Sequence, residues 1–240
     1  MSGHSRWAQI KRKKAVTDTK RGQMFTRLIK EITIAARLGG PDLEGNARLR
    51  IAVERARKSS MPVDNIKRAI TRGSGGEGGA GFEELTYEAY GPGGVAIIIE
   101  TATDNRNRTI GEMRHIISKY GGNLGESGSV GWMFAKKGII VIPKAGQDED
   151  KLLTIALDAG ADDLKTDDPD YFEIQTSPDQ FEKVLNAINE AKIPVEEEKV
   201  GLIASTLVKV EGNDSEKLMK LLEAIEENED VQNVYSNAEF

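Results

Sequence analysis

Two stretches of this 240-residue chain place residue types at spacings that can do chemistry, and in both the chemistry is phosphate binding. The first is Ser5-Arg6-Trp7-Ala8-Gln9-Ile10-Lys11-Arg12-Lys13-Lys14. Here Lys11, Arg12, Lys13 and Lys14, with Arg6, offer ionic contacts to a polyanion whatever its sequence. Trp7 either stacks on a base or anchors the arm to a neighbouring helix. The second is Thr103-Asp104-Asn105-Arg106-Asn107-Arg108-Thr109, where Arg106 and Arg108 are two of three arginines beyond residue 73. One reading is a capped loop, with Asn107 or Asp104 accepting backbone hydrogen bonds at a helix start. The other is a phosphate seat between the two arginines and the backbone donors.

Catalysis lacks the necessary inventory. There is no cysteine, and the two histidines, His4 and His115, fall in different predicted domains without metal-ligand spacing. Gly125-Glu126-Ser127-Gly128-Ser129 departs from the Gly-x-Ser-x-Gly elbow of hydrolases. The acidic run Asp162, Asp163, Asp167, Asp168 and Asp170 lacks the glycine and terminal glutamate of a calcium loop and reads as a hairpin turn. The chain is therefore expected to be no enzyme, with no catalytic residue, metal or cofactor, and with neither a small-molecule substrate nor a membrane as partner.

The charge distribution points the same way. Residues 1–72 hold 18 cations and 6 anions, whereas residues 73–240 hold 15 and 33. A balance of +12 over so short a segment repels itself unless an anionic partner offsets it, so DNA or structured RNA, the ribosome included, is the expected partner. With 38% hydrophobic and 30% charged residues the chain reads as a soluble globular protein. The absence of cysteine fits a reducing compartment, and the start lacks the apolar core of a secretory signal, so a cytoplasmic location is expected. The longest apolar runs, such as Val95–Ile99, fall far short of the roughly 20 residues that span a bilayer.

The elements that must position these residues are legible from periodicity. From Thr17 to Leu38, Phe25, Leu28, Ile29, Ile32 and Ala36 recur at helical spacing, and Lys20, Arg27, Lys30 and Arg37 fall opposite as a cationic face. Asn46 is the expected cap of a second helix, with Leu49, Ala52, Val53 and Ala56 inward and Arg48, Arg50, Arg55, Arg57 and Lys58 around the remainder. Ile51 falls outside that seam. Pro62 suits the first position of a third helix carrying Val63, Ile66, Ala69 and Ile70 inward. Residues 73–81 contain six glycines in nine and read as a linker, since the lysine and strand of a phosphate-binding P-loop are missing.

Beyond the linker the expected order is strand 85–90, strand 95–101, helix 109–120 and strand 129–134. Strand 138–142, helix 148–159, strands 161–166 and 171–176, helix 178–191 and strand 196–204 then form a βαββαβ unit, the pattern of a ferredoxin-like domain. Strand 205–210, a helix from Asp214 to Asn228 and a strand at 231–235 follow. The fold class expected is thus α+β multidomain: a basic arm and helical bundle (1–72), a linker (73–81), and an α+β domain (82–135 plus 205–240) into which a ferredoxin-like domain (136–204) is inserted.

Several stretches together resemble the YebC/PmpR family. They are Gly3-His4-Ser5-Arg6-Trp7-Ala8-Gln9-Ile10-Lys11, Lys20-Arg21-Gly22-Gln23-Met24-Phe25-Thr26-Arg27-Leu28-Ile29-Lys30-Glu31-Ile32, Met61-Pro62-Val63-Asp64-Asn65-Ile66, Tyr87-Glu88-Ala89-Tyr90-Gly91-Pro92-Gly93-Gly94 and Thr103–Thr109. The resemblance implies a three-domain cytoplasmic protein that regulates gene expression. Members are described either as transcriptional regulators binding promoter DNA or as translation factors acting on the ribosome, mitochondrial translational activators among them. It carries over no catalytic residue. The residues expected to contact nucleic acid therefore rest on charge: Arg6, Trp7, Lys11, Arg12, Lys13, Lys14, Lys20, Arg27, Lys30, Arg37, Arg48, Arg55, Lys58, Arg106 and Arg108.

Overall fold

The computed structural model describes residues 18–76 and 81–240, with side chains in the first helix described from Arg21 onward. It is mixed α+β, and its described residues separate into two compact units. One holds residues 18–76, 81–130 and 211–234, and the other holds 131–210 and 235–240.

In the first unit, helices α1 (Asp18–Gly39), α2 (Ala47–Lys58) and α3 (Val63–Gly73) enclose a core of Leu28, Ile32, Ala36, Leu49, Ala52, Val53, Ala56, Met61, Ile66 and Ala69. The helix boundaries have local causes. The Asn46 side chain accepts the Leu49 N–H at 3.0 Å, a helix N-cap, and its amide returns 2.8 Å hydrogen bonds to the carbonyls of Ala35 and Gly40. One side chain thus starts α2 and ties it to the end of α1. Pro62 precedes α3, where its missing N–H costs nothing. At the far end of α3, a Cβ on Gly73 would run into the Thr33 carbonyl, so glycine is what lets α1 and α3 approach.

The same unit contains β1 (Glu83–Tyr90), β2 (Ala96–Thr103), α4 (Arg106–Lys119), β3 (Asn123–Leu124), a helix here called α7 (Gly212–Glu226) and residues 231–234 of β9 (Val231–Ser236), in a sheet of order β3-β1-β2-β9. β1 and β2 form an antiparallel hairpin from Tyr90↔Ala96 to Glu83↔Thr103. Ile34, on the side of α1 away from the bundle core, packs with Phe82 and Ala102. α1 is thus apolar on two sides, and its second contact fastens it to the sheet.

The second unit contains β4 (Phe134–Pro143), α5 (Glu149–Ala159), β5 (Asp163–Lys165), β6 (Tyr171–Thr176), α6 (Phe181–Glu190) and β7 (Glu197–Ala204). Its antiparallel sheet has the order β5-β6-β4-β7, and both helices cover one face over Ile140, Ile142, Phe172 and Ile174. The Asp168 carboxylate accepts the N–H groups of Asp170 and Tyr171 at 2.8 and 3.0 Å, making the acidic run the hairpin turn expected of it. A short parallel pair, β8 (Val208–Lys209) with β10 (Ala238–Glu239), completes this unit.

Two expected elements differ. In place of a strand at 129–134 there is a loop, a 3₁₀ turn at Gly131–Met133 and only then β4. The Glu88 carboxylate accepts the backbone N–H groups of Gly128 (2.7 Å) and Val130 (2.6 Å), donors a strand would have placed in a ladder. Helix α4 begins at Arg106, a turn earlier than expected, because its cap is Asn105 and not Asn107 or Asp104.

Candidate nucleic-acid interface

The second of the two chemically promising stretches is built around an acid the sequence did not point to. Asp230, 3% exposed at the start of β9, accepts at one carboxylate oxygen the Lys30 ammonium (2.7 Å). At the other it accepts Arg108 (2.8 Å), the Thr109 hydroxyl (2.7 Å) and the Thr103 hydroxyl (3.1 Å). Burial, the largest single influence, pushes this carboxyl's pKa up. The bonds from Arg108, Lys30 and Thr109 and the Lys30 charge together outweigh burial and hold it down at about 2. In turn, the Asp230 bond raises the Arg108 pKa above its ordinary value. A carboxylate saturated with donors and ionised at every physiological pH is a clamp, not an acid–base group.

The clamp closes further through α1. Its residues Gln23, Arg27 and Lys30, spaced four and three apart, donate to the carbonyls of Glu227, Glu226 and Glu229, where α7 ends. Cations and donors at a helix C-terminus satisfy its unpaired carbonyls and complement its dipole. Burial lowers the Arg27 pKa, partly offset by the Glu226 charge. Phe82 lies beneath both Lys30 (5.5 Å) and Arg72 (5.0 Å).

This geometry sorts the expected contact residues. Lys30, 7% exposed, and Arg27 were expected on an open cationic face and are instead spent internally. The face expected to be solvated packs on the sheet and on the end of α7. Arg108 is tied to Asp230 and, at 3.1 Å, to Asp104, so the capped-loop reading accounts for it: Asn105 caps α4 by accepting the Arg108 N–H at 3.1 Å. Arg48 pairs with Glu84 at 2.5 Å, which raises its pKa, and Arg55 lies 3.9 Å from Glu31. Lys58 is exposed at the end of α2.

Arg37 and Arg106 are exposed, and their side chains make no hydrogen bond or ion pair with a described residue. The same is true of Arg57 and Lys67, which the charge-based set did not include. The residues Arg6, Trp7, Lys11, Arg12, Lys13 and Lys14 lie outside the described residues, as does the side chain of Lys20. Tyr87 has a buried hydroxyl without a hydrogen-bond partner among the described residues, and burial, opposed by the Arg106 charge, raises its pKa.

Comparison with known proteins agrees with the sequence resemblance. The family model for the TACO1/YebC N-terminal domain matches residues 5–76, and that for the TACO1/YebC second and third domain matches residues 82–238. A protein of Chlorobaculum tepidum is 56% identical over 240 residues, covering all of this chain and 96% of its own length. One of Koribacter versatilis is 57% identical with the same coverage, and both carry the name "probable transcriptional regulatory protein". The crystal structure of a conserved hypothetical protein from Aquifex aeolicus, 44% identical, superposes with a TM-score of 0.88 over 98% of this chain and 97% of that one. Matched over residues 5–76 and 82–238, the chain belongs to the TACO1/YebC family.

Proposed function

We propose that the protein is a non-enzymatic, cytoplasmic regulator of gene expression that docks on nucleic acid through the phosphate backbone, using the basic helical segment. The observation that carries this reading is that Arg37, Arg57 and Lys67 are exposed in that segment with no side-chain partner among the described residues, within a stretch of net charge +12. Clustered cations without counterions are repaid by a polyanion, whose condensed ions they release. The partner proposed is DNA, in keeping with the names of the relatives. Structured RNA on the ribosome is the second reading, favoured by a segment of net charge +12 on an otherwise acidic chain.

The same reading takes 136–204 as a ferredoxin-like domain inserted between 82–135 and 205–240, separate from the N-terminal 1–72. Supporting the ferredoxin-like assignment are the strand order β5-β6-β4-β7 and the two helices on one face.

The test is fluorescence anisotropy of the full chain with a labelled duplex DNA and a labelled RNA hairpin across a salt series. Neutralising about six phosphates gives a slope of log affinity against log salt near about −5. A slope near zero with both probes removes the proposal. Tighter binding of the hairpin at matched salt, with ribosomal RNA dominating crosslinks made in cells, selects the translational reading over the promoter one.

A further inference from the structure

Helix α2 carries cations on both flanks of its buried seam, and the fold treats the two flanks differently. With about 100° between successive residues, Leu49, Ala52, Val53 and Ala56 face the core, Arg48 and Arg55 lie about 100° to one side of that face, and Arg50 and Arg57 about 100° to the other. The first flank is neutralised within the fold. Arg55 lies 3.9 Å from Glu31 on α1, and Arg48 holds Glu84 on β1 through two hydrogen bonds. On the second flank the Arg50 side chain donates to the carbonyls of Leu43 and Glu44, at 3.2 and 3.4 Å, and has no carboxylate partner among the described residues. The Arg57 side chain is exposed and bonded to no described residue.

That second flank faces α3. The three helices enclose one core, and the Arg55–Glu31 contact puts α1 on the first flank of α2, which leaves the other to α3. Helix α3 is oriented by the same reasoning. Ile66, Ala69 and Ile70 face the core, and the side next to α1 is marked by the Ala69 carbonyl, which accepts from Thr33 at 3.3 Å, and by Arg72 over the Phe82 ring. Lys67, exposed and bonded to no described residue, lies about 100° round on the opposite side, toward α2. Arg50 and Arg57 on one wall and Lys67 on the other therefore line the groove between α2 and α3. The only carboxylates on these two helices, Glu54 and Asp64, stand about 50–60° farther round, toward solvent. Arg37 lies off the groove, in the last turn of α1 beside Gly81.

We infer that the groove between α2 and α3 is the seat of the nucleic acid's phosphate backbone, with Arg50, Arg57 and Lys67 as its contacts, and that the Arg48–Arg55 flank contributes none. A phosphate on that flank would have to displace Glu84 or Glu31, losing one ion pair for each one gained. In the groove each contact adds to binding and releases a condensed counterion. Seven residues of helix set Arg50 and Arg57 about 10 Å apart, which spans about three nucleotides of one strand at about 3.4 Å each. The inference rests on the proposed function and narrows the charge of the whole helical segment to one face of it.

The test uses the full chain, the same DNA and RNA probes, and three variants whose melting temperatures are checked first. R57A/K67A is expected to bind about tenfold more weakly and to lose about 2 from the magnitude of the salt slope, one per phosphate contact. R48A/R55A removes the same amount of charge and is expected to weaken binding less than about twofold. The charge-keeping R57K/K67R is expected to retain wild-type affinity and slope, so that a loss in R57A/K67A is a loss of phosphate contacts and not of packing. Wild-type affinity in R57A/K67A, or an equal loss in the two alanine variants, overturns the inference alone. A wild-type chain that binds neither probe overturns the proposed function and the inference with it.

Discussion

Replacing Asp230 with asparagine removes the charge on which three elements converge while keeping the side chain's size. The carboxyl titrates at about 2 in the folded chain against an ordinary 3.8. At about 1.4 kcal/mol per pH unit, that difference amounts to about 2.5 kcal/mol of stability. The folded pKa is the depressed one, so this stability is fully present above about pH 4 and is lost as the pH falls toward 2. Asparagine costs more than protonation, because besides leaving the Lys30 ammonium, its side chain 8% exposed, without a counterion, it sets an NH2 donor where a carboxylate oxygen accepted from donors. Breaking such a pair from one side costs about 3–5 kcal/mol. Urea unfolding at pH 7, followed by circular dichroism, is expected to show that loss in Asp230→Asn. The double variant with Lys30→Met is expected to recover most of it, and the difference between wild type and Asp230→Asn to shrink between pH 4 and pH 2. Unfolding of the single variant at the wild-type midpoint, or a double variant as unstable as the sum of the two single ones, would show that the clamp holds nothing.

Two further substitutions probe how α1 and α4 are placed. Gly73→Ala forces a methyl group against the Thr33 carbonyl at the α1–α3 crossing, so a loss of about 1–3 kcal/mol is expected in chemical denaturation, and a neutral result would mean that the helices separate freely. Asn105→Ala deletes the cap of α4, with an expected cost of about 1 kcal/mol in thermal unfolding; an unchanged midpoint would mean the helix start is held by Thr103 and Asp230 alone.

Much of the helical segment was legible because its determinants are local. The Asn46 cap and the seam of Leu49, Ala52, Val53 and Ala56 both follow from spacing, and the structure agrees. The βαββαβ order of 134–204 was legible for the same reason. What periodicity could not supply was the second face of α1. A five-residue apolar arc already satisfied the helical pattern, so Arg27 and Lys30 looked solvated. The signal present was Ile34, an isoleucine outside the arc, now 1% exposed against Phe82 and Ala102. Asp230 had no comparable signal: in an acidic stretch Glu226-Glu227-Asn228-Glu229-Asp230 it looks like any solvated anion, and its partner in the chain is 200 residues away. Arg106 and Arg108 were singled out together by type, yet tertiary placement gives Arg108 to the clamp and leaves Arg106 without an ion pair among the described residues.

That 200-residue separation also orders events during synthesis. Chains lengthen at about 5–20 residues per second, so about 10–40 s pass between the appearance of Lys30 and that of Asp230. The three-helix core can assemble within that interval from contacts already made. Its attachment to the sheet cannot, because Asp230, next to β9, is among the last residues to emerge. A nascent or truncated chain therefore displays Gln23, Arg27 and Lys30 as an open stripe, and only the finished protein withdraws them.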